Sequence, residues 1–85
     1  METWKVVIDE AAFQFFVSCR AMNRRKLLAC FEQLRANPQR RADYFSKDAT
    51  GRSLSVCATP PFLITFWLDS FVSEIRIVDL QQVRI

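Results

Sequence analysis

An uninterrupted run of apolar and β-branched residues lies at Phe62–Leu68, and it contains no glycine, proline or charged residue. Such a run predicts a β-strand that is covered on one face and partly covered on the other. After the short reversal Asp69–Phe71, apolar and polar residues roughly alternate over Val72–Leu80. With a further candidate strand at Arg52–Ala58, the last third of the chain predicts a three-stranded antiparallel β-meander centred on Phe62–Leu68.

The residues before the meander predict one strand and two helices. Trp4–Ile8 is rich in β-forming residues, and Asp9 is a suitable N-cap for a first helix. A break at Ala21–Asn23 is expected before the second helix, which Asn37-Pro38 ends because the residue before proline disfavours the helical region. The predicted fold is therefore α+β: an N-terminal β-strand, an αα-hairpin, and then the three-stranded antiparallel meander packed on the helices.

A polar connection of about a dozen residues, Gln39–Gly51, links the helices to the meander. Connections of this length are uncommon in small domains and are places to look for function. Its cations, Arg40, Arg41 and Lys47, are candidates for contact with RNA or with an acidic protein segment, or they belong to a solvated loop. Its aromatic residues, Tyr44 and Phe45, are expected to hold it against the body of the domain. The only glycine, Gly51, is expected to adopt a positive φ in a turn rather than to bind phosphate.

Alternation along the strands assigns side chains to the two faces of the sheet. The more apolar set is expected to face the helices: Phe62, Ile64, Phe66, Leu68, Leu54, Val56, Ala58, Ile75 and Ile77. The other face is expected to carry Ser53, Ser55, Cys57, Leu63, Thr65, Trp67, Glu74, Arg76 and Val78. Leu63 and Trp67 among small polar groups indicate a binding surface. There Trp67 is a candidate to stack on a base or to anchor a partner side chain, and Arg76 is a candidate to contact phosphate or an acidic partner, or to pair with Glu74.

Composition excludes some classes of function but does not identify a single one. Eighty-five residues suffice for one domain, spanning 1–85. The net charge of +3, from 12 basic and 9 acidic residues, permits an anionic partner but does not require one. The three cysteines have no paired spacing and the chain has no histidine, so neither a zinc site nor another cofactor is expected. Without a secretory signal or an apolar run long enough to span a bilayer, we expect a cytoplasmic protein with no membrane partner.

The order of strand, helical hairpin, polar connection and meander resembles the RelE/ParE superfamily of bacterial type II toxins. The residues that carry this resemblance are Leu34–Pro38 (LRANP), Asp48–Arg52 (DATGR), Ile64–Asp69 (ITFWLD) and Glu74–Val78 (EIRIV). The resemblance implies a toxin encoded beside a small antitoxin protein, which wraps the toxin and masks its working face. It also implies one of two targets. RelE-like proteins cut messenger RNA in the ribosomal A site, using basic residues on the concave sheet face and a tyrosine or histidine near the C-terminus, whereas ParE-like proteins inhibit DNA gyrase without such a catalytic set.

The groups that RNA cleavage requires are sparse in this sequence. The first meander strand has serine and cysteine where RelE-like enzymes have basic residues, and the only tyrosine, Tyr44, lies in the connection. Arg52 and Arg76 are the candidate catalytic residues because they can stabilise charge on a phosphate, although arginine is a poor proton donor at neutral pH. We therefore expect a toxin that acts by binding, through Leu63, Trp67 and Arg76. The alternatives are a metal-independent, ribosome-dependent mRNA endoribonuclease and an attenuated interaction protein of the same fold.

Overall fold

A computed structural model of the chain describes residues 3–39 and 42–83. Its elements, in chain order, are β1 (Lys5–Ile8), α1 (Glu10–Ser18), α2 (Ala21–Ala36), β2 (Tyr44–Lys47), β3 (Ser53–Thr59), β4 (Phe62–Asp69) and β5 (Glu74–Gln82). The strands form one five-stranded sheet in the order β1-β5-β4-β3-β2. The predicted α+β class and the antiparallel meander β3-β4-β5 are confirmed. The sheet is larger than predicted, because β1 adds parallel to β5 and β2 adds antiparallel to β3.

The helical hairpin turns two residues earlier than predicted. α1 follows Asp9 in the N-cap position, although the Asp9 side chain makes no capping hydrogen bond. The turn lies at Cys19 and Arg20, which have extended backbone, and α2 then begins at Ala21, so the predicted break at Ala21–Asn23 is wrong. Alanine and methionine favour helix, which lets α2 start before Asn23. The Arg24 guanidinium donates to the Cys19 carbonyl oxygen and stabilises the earlier start. α2 ends at Ala36, before Asn37-Pro38, as predicted.

The connection between α2 and the meander contains a strand that sequence reasoning missed. Residues Tyr44–Lys47 pair antiparallel with Ser53–Val56. Because its two aromatic residues are adjacent and therefore lie on opposite faces, the segment shows neither an apolar run nor one-sided alternation. Tyr44 is 59% exposed and Phe45 is 75% exposed, so the expectation that they hold the connection against the domain body is wrong.

One face of the sheet packs against the two helices and forms the core. No polar or charged side chain is buried there among the described residues. The largest fully buried side chains are Phe62, Phe66, Leu27, Leu34, Ile64, Ile75, Ile77 and Cys57. Burial of each large apolar side chain contributes about 1.5–3 kcal/mol, so this inner face supplies most of the stability.

The faces of β3 are the reverse of the predicted ones. Cys57 lies opposite Ile64, and directly opposite residues share a face, so Cys57 points into the core and is 1% exposed. Val56 and Ala58 consequently lie on the outer face. The apolar content of β3 by itself suggested the opposite, but its register with β4 decides which side chains are buried. The outer face is therefore more apolar than the sequence alone indicated.

A β-bulge keeps the core side of β5 apolar. Ile77 lies opposite Phe66 and Leu80 lies opposite Ile64, although Ile77 and Leu80 are three residues apart. Strict alternation would place one of them on the outer face. The extra residue in β5 lets both be buried and shifts the register between Thr65 and Phe66.

Candidate binding site on the outer sheet face

The outer face of the sheet is the side that points away from α1 and α2. Register and alternation place the following side chains on it: Lys5 and Val7 of β1, Tyr44 and Ser46 of β2, Leu54, Val56 and Ala58 of β3, Leu63, Thr65, Trp67 and Asp69 of β4, and Glu74, Arg76, Asp79 and Gln81 of β5. All of them except Leu54, which is 8% exposed, are at least partly exposed. This face includes three of the predicted binding residues, Leu63, Trp67 and Arg76.

Two guanidinium groups lie close to the Trp67 ring. The Cζ atom of Arg52 is 4.1 Å from the centroid of the indole ring, and the Cζ atom of Arg76 is 5.7 Å from it. Both distances are within the range of about 6 Å at which a cation interacts with an aromatic face. Arg76 lies directly opposite Trp67 on β5, whereas Arg52 comes from the turn that precedes β3. The structure thus brings together both predicted catalytic residues and the predicted aromatic anchor.

Two carboxylates hold the guanidinium of Arg76. Its Nη2 atom donates to Glu74 Oε1 at 2.8 Å, which is the pairing considered from the sequence, and its Nε atom lies 3.9 Å from Asp69 Oδ2. The second distance is that of an ion pair rather than a hydrogen bond, and Arg76 Nε is buried without a hydrogen-bond partner. This arrangement fixes the position of Arg76 and neutralises its charge, which weakens its attraction for a phosphate.

A tight turn fixes the backbone of Arg52. The Asp48 carboxylate accepts hydrogen bonds from the Thr50 hydroxyl at 2.6 Å and from the amides of Thr50 and Arg52, each at 2.9 Å. The Thr50 hydroxyl bond, helped by the two amides and by the charge of Arg52, lowers the pKa of Asp48 below that of an ordinary carboxyl group. Gly51 has φ +85°, as predicted, in the five-residue segment 48–52 that joins β2 to β3. The DATGR stretch therefore aims Arg52 at the Trp67 ring.

An apolar cavity of about 330 Å³ opens at the β3–β4 hairpin. It is lined by Tyr44, Ala58, Pro60, Pro61, Phe62, Leu63 and Val83. Its volume is at the lower end of the range of about 300–1,000 Å³ typical of ligand pockets, and its lining suits an apolar side chain. Leu63, predicted as a binding residue, therefore contributes to this cavity rather than to the Trp67 stack.

One residue of the predicted basic patch, Lys47, does not lie on the outer face. Lys47 is the last residue of β2 and lies opposite Ser53, on the face opposite to that of Tyr44. Arg40 and Arg41 lie outside the described residues, so their predicted role stays a prediction. The sequence assigned Tyr44 to a loop, and the structure instead places it on the outer face beside the cavity.

The outer-face positions of Val56 and Ala58 were missed, although a local signal for them exists. Thr59 lies opposite Phe62, so the β3–β4 connection is the two-residue loop Pro60-Pro61. So short a loop fixes the register of its strands. Counting back from that pair places Cys57 opposite Ile64, which assigns Val56 and Ala58 to the face of Trp67.

The described residues include no group of three or more histidine, cysteine, aspartate or glutamate side chains placed to hold a metal ion. In the same part of the chain, no helix has the length and hydrophobicity needed to cross a membrane.

Comparison with known proteins identifies the fold. No protein-family model matches the sequence, and no curated protein matches it either. Among solved structures, the chain is similar to the archaeal RelE–RelB complex from Pyrococcus horikoshii, with a TM-score of 0.74 over 95% of this chain and 96% of that chain. The two sequences are only 15% identical, so this similarity concerns the fold. The predicted resemblance is confirmed at that level: this chain has the RelE/ParE-like fold.

Proposed function

We propose that this protein is the toxin of a type II toxin–antitoxin pair, that it acts by binding a protein target through the outer face of its sheet, and that a cognate antitoxin protein neutralises it. The RelE-like fold supports the first part, since the similar archaeal RelE was crystallised in a complex with RelB. The observation that carries the binding mechanism is the group of Arg52, Trp67 and Arg76 on the sheet face that also supplies Leu63 and Tyr44 to an apolar cavity.

The chemistry of the outer face fits a protein better than a nucleic acid. Tryptophan, tyrosine and arginine are the side chains most enriched at the energetic centres of protein interfaces. The charged groups of this face balance one another among the described residues: Lys5, Arg52 and Arg76 against Asp69, Glu74 and Asp79. Nucleic-acid affinity depends on cations that are free to displace counterions from phosphates, and a balanced surface supplies few of them. Of the two targets implied by the family resemblance, DNA gyrase is favoured over messenger RNA on the ribosome.

One observation favours the second candidate, ribosome-dependent cleavage of mRNA. Tyr44 lies on the same face as the Arg52 and Arg76 guanidinium groups rather than in a loop. A phenol can transfer a proton and a guanidinium can stabilise a developing phosphorane, so this face carries groups suited to two of the required functions. The two carboxylates on Arg76 oppose this candidate, because they would face an incoming phosphate.

The test is controlled expression in a bacterial host, with growth followed and transcript 5′ ends mapped soon after induction. The informative variants are Trp67→Ala, Arg52→Ala and Tyr44→Phe. Two matched controls have side chains outside the stack. Phe71→Ala removes an aromatic ring that is fully exposed in the β4–β5 turn, and Arg35→Ala removes an arginine that pairs with Glu32 on α2.

We expect growth arrest without new cuts in translated messages, with the arrest lost in Trp67→Ala and kept in both controls. Codon-phased cuts that disappear in Arg52→Ala and Tyr44→Phe would instead establish the nuclease. A wild-type chain that causes no arrest would refute toxin activity and support an attenuated interaction protein.

A further inference from the structure

The β4–β5 turn holds an apolar side chain fully in solvent. Phe71 is completely exposed, and its amide donates to Asp69 Oδ1 at 3.2 Å. The Ser73 carbonyl accepts from the Lys5 amide at 3.0 Å, which ties the other end of the turn to β1. Ser73 has φ +53°, a left-handed conformation that residues other than glycine adopt where the surrounding structure enforces it. This fixed turn presents Phe71 together with Val72, which is 56% exposed, and the two side chains form an apolar knob.

The cavity at the β3–β4 hairpin can receive such a knob. Its lining is apolar and its volume is about 330 Å³, whereas a cavity of about 150 Å³ is enough to bind a benzene ring. Its wall is held in place by hydrogen bonds to the hairpin carbonyls. The Val83 amide donates to Pro61 at 2.7 Å, and Lys26 Nζ donates to the Pro60 carbonyl at 3.3 Å. A cavity formed before binding requires little ordering when a ring enters it.

The knob and the cavity lie at opposite ends of β4. Phe62 and Leu63, at the start of the strand, line the cavity, and the knob follows Asp69 at its end. Eight strand residues at about 3.3 Å each separate the two features by roughly 26 Å. The knob of one copy therefore cannot fill its own cavity, but it can enter the cavity of another copy.

We propose that this protein associates with itself head to tail, with the Phe71 and Val72 knob of one copy inserted into the β3–β4 cavity of the next. The contact joins two different surfaces, so each added copy leaves a free knob at one end and a free cavity at the other. Contacts of this kind build rings or open filaments rather than two-fold dimers. The inference shares the cavity with the proposed function but does not depend on toxin activity.

Area and charge determine the strength of this contact. Two apolar side chains in one cavity bury far less than the roughly 1,200 Å² of a stable protein interface, so we expect a dissociation constant on the order of 1 mM. The charges near the knob balance one another: Asp69 and Glu74 against Arg76 and Lys5. The Lys26 ammonium beside the cavity therefore meets no excess of positive charge. The association should be weak, dependent on concentration and nearly insensitive to salt.

The first test is analytical ultracentrifugation of the full chain between about 0.02 and 2 mM, a range that includes the expected dissociation constant. The average mass of the wild type should rise with concentration beyond that of a dimer, and it should do so equally in about 1 M salt. Phe71→Ala should weaken association by about tenfold or more, and Phe71→Leu should recover part of it. The matched control, Phe45→Ala, removes a ring that is 75% exposed on β2 and should associate like the wild type.

A mixing experiment tests the complementarity of the two surfaces. Ala58→Arg places a long charged side chain in the lining of the cavity, with circular dichroism as the check that the variant folds. Phe71→Ala and Ala58→Arg should each remain monomeric alone and form a one-to-one complex when mixed, because one knob and one cavity remain. The complex should stop at two copies. With only Phe71→Ala isotope-labelled, the Val83 methyl signals should shift on mixing, and those of Leu28 on α2 should not.

Four results would overturn the proposal. One is a wild-type chain that stays monomeric throughout the concentration range, and another is a wild-type dimer that does not grow further. The third is association that Phe71→Ala leaves unchanged, which would assign the contact to another surface. The fourth is a mixture of two folded variants that forms no complex. If Ala58→Arg does not fold, the Phe71→Ala and Phe71→Leu series in the wild-type background decides the question.

Discussion

Adjacent residues of β4 have opposite environments. On the inner side, Phe62, Ile64 and Phe66 are exposed by no more than 2%, whereas on the outer side Leu63, Thr65 and Trp67 are only partly buried. The inner side chains belong to the cluster of buried apolar residues, while the Trp67 ring lies near two guanidinium groups, of which that of Arg76 pairs with carboxylates. One strand thus separates the core-forming side chains from those of the proposed binding face by parity alone. Truncation of a large side chain to alanine should therefore lower the unfolding free energy much more on the inner side than on the outer side.

The most severe test of this division is Phe66→Ala. The ring is 2% exposed in the core, so its removal should cost about 3–5 kcal/mol of unfolding free energy. That loss approaches the whole stability of a small domain, roughly 5–15 kcal/mol. The control is the next residue: Trp67→Ala should cost less than half as much in urea denaturation. Equal losses would mean that the outer side also holds the fold together.

A smaller loss of unfolding free energy is expected for Arg76→Ala. The substitution removes the guanidinium that pairs with Glu74 and Asp69 and also uncovers one side of the Trp67 ring. Because this side chain is 35% exposed, solvent screening limits the expected loss to about 0.5–1 kcal/mol. The part due to charge should shrink in about 1 M salt. A loss above that of Phe66→Ala would contradict the assignment of the outer face to binding.

The smallest effect concerns pH and the turn that positions Arg52. The pKa of Asp48 is lowered in the folded state, chiefly by the Thr50 hydroxyl bond, from an ordinary value of 3.8. Its contribution to stability is therefore complete above about 3.8 and is lost as the pH falls through the lower folded-state pKa. Asp48→Asn should be slightly less stable than the wild type at pH 7, and the difference should shrink as the pH falls below the folded-state pKa of Asp48. A difference that persists there, in thermal unfolding followed by circular dichroism, would show that the carboxylate charge does not stabilise the turn.

The parts of the fold that were predicted correctly are determined by residues close together in the sequence. The β-branched run of β4, the proline after α2 and the lone glycine before β3 each act within a few residues. β2 was missed because its four residues form a strand only through pairing with β3, a contact that no local pattern records. The reversed faces of β3 have the same origin, since Cys57 is buried by its register opposite Ile64 rather than by its own hydrophobicity.

The candidate site was predicted in part. Trp67 and Arg76 were placed on the correct face because strict alternation along β4 and β5 holds at that point. The proximity of Arg52 to the Trp67 ring depends on the three-dimensional path of the β2–β3 turn. The contribution of Tyr44 depends on a strand that was not predicted.

The parallel pairing of the first strand with the last has a consequence for how the protein is made. Lys5 pairs with Glu74, so β1 emerges early in synthesis but finds its only described neighbour in the sheet after almost the whole chain has been translated. Contacts this distant in sequence slow folding, because the loop must close before they form. A nascent chain that stops before β5 lacks both the partner of β1 and half of the Trp67 stack. The proposed binding surface is therefore complete only after β5 has been made, and we expect no binding to a target while the chain is still being synthesised.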